Sequence, residues 1–465
     1  MSTSPSPIAK LTRLSLPVIG LNVLTVLTLA VDTAMVGRLP DAEPALAALG
    51  FAGQIAFLLL VAMIGVTVGA VAMISRAYGA ADHERVNHIL AQSTMLTVVV
   101  SALVAVVGNL SARPLLGLLG ASPEVVDPAL SYLRPLMAGT VFPYLILLYA
   151  AVLRGIGITR LPFFVALGQN ALNIALNYGL ILGGFGMPAL GVSGAAIGSV
   201  MSQAVGAATL IWILRAGKIP PLVLSRPRRI DGGVARELGR VGAPAALDLV
   251  IVNAAFLSIV GMLGRISDTA VAAHGIGLRV NAIAFVPALG VAQATAALIG
   301  QALGAGDVEG ARRTLRASVW LSLGVSVLMA GAIVAFAGSI VGIVDVEPGT
   351  ELESLALTWI YTLGLGMPIT GVFMAYSGLL MGAGKTGINL RINAVATFLF
   401  QIPASFALGF SMGMGAFGIW LAFPLAFIAK FALALVAYRR GTWAVTGVSV
   451  QGDPSPPSDP PAAER

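Results

Sequence analysis

A single carboxylate, Asp32, interrupts the apolar run LTLAVDTAMVGRL of residues 27–39. A charged group at the centre of a bilayer costs roughly 2.5–3.5 kcal/mol on insertion scales, so an acid kept there points to proton or ion handling. Asn170, Asn173 and Asn177 lie on one later apolar segment and Ser199 on the next, all able to donate hydrogen bonds to it. Asn173 and Asn177 are one helical turn apart, on one face. Burial and hydrogen-bond donors act in opposite senses on a carboxyl's hold on its proton, so together they can tune it for exchange. The architectural alternatives are that Asp32 snorkels or pairs with Arg38 about 1.5 turns on, and that the asparagines are interhelical packing contacts.

Of 20 acidic residues, only Asp32 and Asp248 fall inside apolar spans. Asp248 is either a cavity-lining acid or the partner of a polar neighbour; Asn170, Asn253 and Tyr376 are further candidate cavity-lining residues. Arg134, Arg279 and Lys430 fall in or near span ends, where pairing or snorkelling is expected, Arg134 with Asp127 or Glu124. His83, His88 and His274 are scattered at loops and make no metal constellation. The GAGKT of residues 382–386 imitates half a P-loop, but Leu379 stands where the first glycine is required and no strand precedes it. It reads as a turn. With no cysteine, thiol redox chemistry and thiolate metal sites are excluded, and no cofactor is expected.

The elements that position these groups follow from composition. The 465 residues are 57% hydrophobic and 10% charged, far from the ~25% charged of soluble domains. Apolar stretches of about 20 residues recur throughout, each able to cross a ~30 Å hydrocarbon core. The first follows Lys10 and Arg13 but is too long for a signal-peptide core and lacks its cleavage site, so it reads as a span. Twelve spans divide into an N-lobe at 14–214 and a C-lobe at 241–440. They are flanked by an N-terminus at 1–13, a basic linker at 215–240 and a proline-rich, disordered tail at 441–465. Placing the N-terminus inside puts most lysines and arginines in loops on the same side, the positive-inside bias, with both termini cytoplasmic. The net charge of +7 then faces anionic lipid, and nucleic acid is not a partner.

The halves repeat. LTRLSLP at 11–17 answers LGRVGAP at 238–244; MVGRL at 35–39 answers MLGRI at 262–266; LRGIGIT at 153–159 answers LMGAGKT at 380–386, each 227 positions on. AYGAADHE at 77–84 answers ALGAGDVE at 302–309 after 225. Six spans per half give a parallel repeat, an architecture of transporters with a site between lobes. Asp32 has no copy: position 259 is isoleucine.

These residues bring a family into view. VDTAMVG, GAAD and GAGD, LRGIG, LNIALNYGLI, GMPALGVSGAAIGS and VAAHG together resemble the multidrug and toxic compound extrusion (MATE) transporters over Leu11–Arg440. The resemblance implies an all-α polytopic fold of twelve helices in two six-helix lobes around a cleft. It also implies export of amphipathic, often cationic compounds in exchange for H+ or Na+. By that resemblance Asp32 is the coupling carboxylate, Asn173 belongs to its hydrogen-bond network, Asn177 stands where many members have aspartate, and Ser199 replaces a threonine. Positions where some members carry second-lobe acids hold Val252 and Thr370, which favours proton over Na+ coupling. The expected protein is a monomeric H+ antiporter in the plasma membrane that exports small amphipathic molecules by alternating access. The alternatives are a Na+-coupled drug exporter and a lipid-linked precursor flippase of the same superfamily, which would carry more cations in its cleft. A membrane enzyme is disfavoured because no serine–histidine, paired-acid or metal arrangement is present.

Overall fold

In hydrocarbon every backbone polar group must be satisfied within the segment, so long apolar runs become helices. The computed structural model describes residues 6–40, 42–225, 229–344 and 346–448, and these are almost entirely helical. The N-terminal half holds α1 (Pro7–Val36), α2 (Ala42–Gly79), α3 (His83–Leu118), α4 (Pro123–Ala138), α5 (Val141–Gly155), α6 (Arg160–Leu182) and α7 (Val192–Arg215). The C-terminal half holds α8 (Gly232–Gly264), α9 (Asp268–Gly304), α10 (Val308–Ala335), the short α11 (Ala337–Ile343), α12 (Glu351–Gly382), α13 (Thr386–Val395), α14 (Ile402–Phe406) and α15 (Gly415–Arg439).

Ten helical segments among the described residues are long and apolar enough to cross a membrane; Thr386–Ser411, which contains α13 and α14, counts as one. Two π-helical stretches interrupt that span on either side of Pro403, whose missing N–H breaks the α-helical ladder. An eleventh candidate is a bent pair: α4 and α5, apolar enough together to cross, meet at 52° across Gly139 and Thr140. The 23-residue α6 is long enough to cross, though Gln169, Asn170, Asn173 and Asn177 make it partly polar. Taken in chain order, these segments occupy the places of the twelve expected spans.

Close backbone approaches join the lobes at one end. Gly65 of α2 lies against Gly242 of α8, and Gly69 against the Leu238 carbonyl. Gly290 of α9 packs on Ile19 of α1, the pseudo-symmetric counterpart of the Gly65 contact. Where α2 and α9 cross, a Cβ on Gly79 would strike the Gln301 carbonyl, and one on Gly304 would strike the Arg76 carbonyl. Small residues let membrane helices approach this closely. The seam therefore uses the N-terminal halves of α1 and α8 and the C-terminal halves of α2 and α9, the end that carries the basic loops.

Several local expectations are corrected. His274 is not at a loop: it is buried in α9 among Phe256, Trp359 and Phe423, because an apolar helix carries it into the C-lobe core. Asp127 pairs with Arg113 at 2.8 Å rather than with Arg134. The 215–240 stretch is not all linker: α8 starts at Gly232, its first N–H groups capped by the Asp231 carboxylate. Asn87, His88 and Gln92 of α3 bond the linker at Pro221, Val223, Arg229 and Asp231. Arg226 and Arg228 lie outside the described residues. Of the expected tail, 441–448 are folded back on the protein: Trp443 is buried and stacked on Tyr438, and the Gly447 N–H donates to Leu303. The remaining 449–465 lie outside the described residues. GAGKT is the turn between α12 and α13, where Thr386 donates to the Val241 carbonyl at 2.6 Å.

Candidate functional site

The site is built where α1, α6 and α7 meet. Asp32, near the C-terminal end of α1, is only 7% exposed. The Asn177 amide of α6 donates to its Oδ1 at 2.7 Å and, more loosely, to Asn173 Oδ1 at 3.3 Å. Asn173 in turn donates to Ser199 Oγ on α7 at 3.1 Å. The structure thus brings Asp32, Asn177, Asn173 and Ser199 into one chain of hydrogen bonds across three helices. Among the described residues no cation lies within ion-pair distance of Asp32, and Arg38 is not its partner. A buried carboxylate held by a single neutral amide is a poor architectural element and a good acceptor for a proton or cation.

Asn170 takes a different place. It meets Thr28, one turn before Asp32 on α1, and also donates to the Ala166 carbonyl within its own helix. It therefore ties α1 to α6 beside the network rather than within it. Asn177 Oδ1 is buried without a hydrogen-bond partner, next to the amide nitrogen that holds the carboxylate.

Two residues at this site were not legible in sequence. Gly198, before Ser199, leaves the space that Asn177 Oδ1 fills, since a Cβ there would collide with it. Tyr132 of α4 is within electrostatic reach of Asp32. A small residue among many glycines and one tyrosine on a distant helix give no periodic signal.

The second-lobe candidates separate. Asp248 of α8 accepts from Asn389 and Asn393 of α13 at 2.8–2.9 Å. Asn253 bonds only the Leu249 carbonyl of its own helix. Tyr376 packs edge-on against Phe431 and Tyr438. Among the described residues no group of three or more His, Asp or Glu is arranged to hold a metal ion.

Comparison with known proteins matches the same two-part pattern. The family model MatE fits twice, over residues 17–179 and 244–407. Among curated proteins the chain is 27% identical to the "Probable multidrug resistance protein NorM" of Thermotoga maritima, covering 93% of this chain and 92% of that one. It is 31% identical to the "Multidrug resistance protein NorM" of Burkholderia vietnamiensis over 88% of each. Among solved structures it resembles one titled as the outward-facing conformation of a multidrug resistance MATE family transporter of the MOP superfamily. That likeness has a TM-score of 0.85 and 22% identity, over 95% of this chain and 96% of the other.

Proposed function

This chain belongs to the MatE family, and is a membrane-embedded transporter rather than an enzyme; from that premise we propose that it exports amphipathic, cationic compounds in exchange for protons. Multidrug resistance is what the matched relatives are named for, and small molecules are accordingly its substrates. The observation that carries the proton assignment is Asp32, buried, amide-held and without a cationic partner among the described residues.

The cycle runs between two lobe arrangements. The positive-inside bias supports a cytoplasmic seam and cytoplasmic termini, and a seam closed on that side favours a cleft that opens outward. A proton arriving from outside neutralises Asp32. A half-turn of the Asn177 amide then presents Oδ1 as acceptor for the new O–H, with Nδ2 released. A bound organic cation loses its counter-charge in the same step and leaves. Coupling arises because proton and substrate compete for one group and favour different states. The lobes at 14–214 and 241–440 are the moving bodies, and one chain suffices for the cycle.

Proteoliposome efflux under separately imposed pH and Na+ gradients tests this reading. Wild type is expected to transport under the pH gradient and Asp32→Asn not to. Equal pH-driven transport by both proteins removes Asp32 from the mechanism, and transport driven by Na+ alone replaces the proton with that ion.

A further inference from the structure

The second lobe contains a displaced copy of the Asp32 cluster. Asp32, Asn173 and Asn177 are each followed, 216 positions later, by Asp248, Asn389 and Asn393. The lobes themselves repeat after 227, so the copy is shifted by 11 residues. Eleven residues are about three turns and about 16 Å of helix, which returns the side chains to the same face. The parent helices correspond as well: α1 with α8, and α6 with α13. The shift runs toward the N-terminal ends of α8 and α13, so Asp248 lies only six residues past Gly242, beside the closed seam.

The copy is more tightly dressed than the original. Both Asp248 oxygens accept amide hydrogens, from Asn389 to Oδ2 and from Asn393 to Oδ1 and Oδ2. Asn389 and Asn393 are 4% and 5% exposed, and Asn389 Oδ1 is buried with no hydrogen-bond partner. The other atom of that amide bonds the carboxylate, so an oxygen acceptor is left over next to the acid, where a cation could use it.

The third wall differs. In the first lobe α7 contributes a neutral hydroxyl, Ser199. In the second lobe the corresponding α15 contributes Lys430, itself buried, its Nζ 5.2 Å from the Phe427 ring and 5.9 Å from the Phe373 ring. Lys430 forms no ion pair in the described residues, yet it interacts electrostatically with Asp248.

We infer that Asp248, Asn389 and Asn393 form a latent site for a small monovalent cation, kept empty by the Lys430 ammonium, which supplies from α15 the charge a bound ion would bring. The second lobe is then held permanently in a charge-balanced form, while the first must take its positive charge from solution. The inference stands on the second-lobe geometry and does not require the role proposed for Asp32.

The test uses purified full-length protein in an Asp32→Asn background, so that the first-lobe site adds no signal. Thermal unfolding is followed in Na+, in K+ and in choline chloride at equal ionic strength. The background protein is expected to show the same midpoint in all three. Adding Lys430→Met is expected to lower the midpoint in choline and to restore it saturably in Na+ or K+, by about 5 °C at high occupancy. Adding Asp248→Asn as well is expected to abolish that response. If Lys430→Met folds in none of the three salts while the protein that also carries Asp248→Asn folds, the two residues are a charge pair only and the inference falls. Failure of both, a cation response that survives Asp248→Asn, or a Lys430→Met protein with no cation response overturns it.

Discussion

Arg76 and Gln301 stand at equivalent places in the two halves, and each reaches across the seam to a main-chain carbonyl of the opposite lobe. Arg76 Nη2 donates to Ala383 at 3.0 Å and Gln301 Nε2 donates to Gly155 at 2.8 Å. The acceptors are also near-equivalent, at the ends of α12 and α5 where LMGAG and LRGIG close. A cationic and a neutral side chain thus perform one task on either side of a pseudo-two-fold axis.

Removing the neutral tie should loosen the seam without unfolding either lobe. Gln301→Ala deletes one hydrogen bond, worth about 1 kcal/mol, which is about a fivefold shift toward the seam-open arrangement. Because the chain has no cysteine, spin labels placed on α2 and α9 can read the distance distribution directly. An unchanged distribution would show that Gln301 does not bear on the equilibrium.

Bulk at the crossing of α2 and α9 should act more strongly. Gly79→Val and Gly304→Val each force a side chain onto the opposing carbonyl, so the seam-closed state is destabilised. Membrane insertion is expected to persist and transport to fall by at least about tenfold, a cost of 1–3 kcal/mol or more for overpacking. Gly261→Ala in α8, where the added carbon meets open space, serves as control and should transport normally.

The chain of hydrogen bonds at Asp32 predicts a graded series. Asn177→Leu removes the donor to a buried carboxylate and should cost about 1–3 kcal/mol of stability as well as transport. Asn173→Leu, one link away, should cost less, and Ser199→Ala, two links away, least. Unfolding midpoints and efflux rates measured on the three proteins decide the order, and an equal loss from all three would mean that they act as packing contacts only.

The linker clamp should be sensitive to acid. The hydrogen bond from His88, and then those from the Val234 and Gly233 N–H groups, hold the Asp231 carboxyl below its ordinary range. A group depressed in the folded state contributes stability above its unfolded value and loses it as pH falls through the folded one. The clamp is therefore expected to be intact at neutral pH and to loosen only as the pH falls below the ordinary carboxylate range of about 3.9. Hydrogen exchange of the first turn of α8 would report this, and Asp231→Asn should remove the acid step while raising exchange at neutral pH.

The spans and the two-fold repeat were legible because apolar length and recurring motifs survive in a single sequence. The Asp32 network was legible too, since an acid and a row of asparagines are conspicuous in hydrocarbon. Gly198 and Tyr132 were not, because nothing local marks a glycine that yields space or a tyrosine brought near by tertiary packing. The Asp248 cluster was hidden for another reason: Asn389 and Asn393 sit out of register with the 227-residue repeat, which pairs Asn173 and Asn177 with Phe400 and Ala404. His274 went to the core because aromatic packing in α9, α12 and α15 outweighed its polarity.

The linker is fastened to α3 at Pro221, Val223, Arg229 and Asp231 before it becomes α8. What passes between the halves as a covalent tether is thus already part of the first lobe's surface, and the seam between α2, α8 and α9 is formed by contact alone. Two half-length polypeptides ending and starting within 226–228 would keep every one of these contacts. Their co-expression should assemble a working transporter, and the single chain is in that sense a heterodimer whose subunits share one messenger.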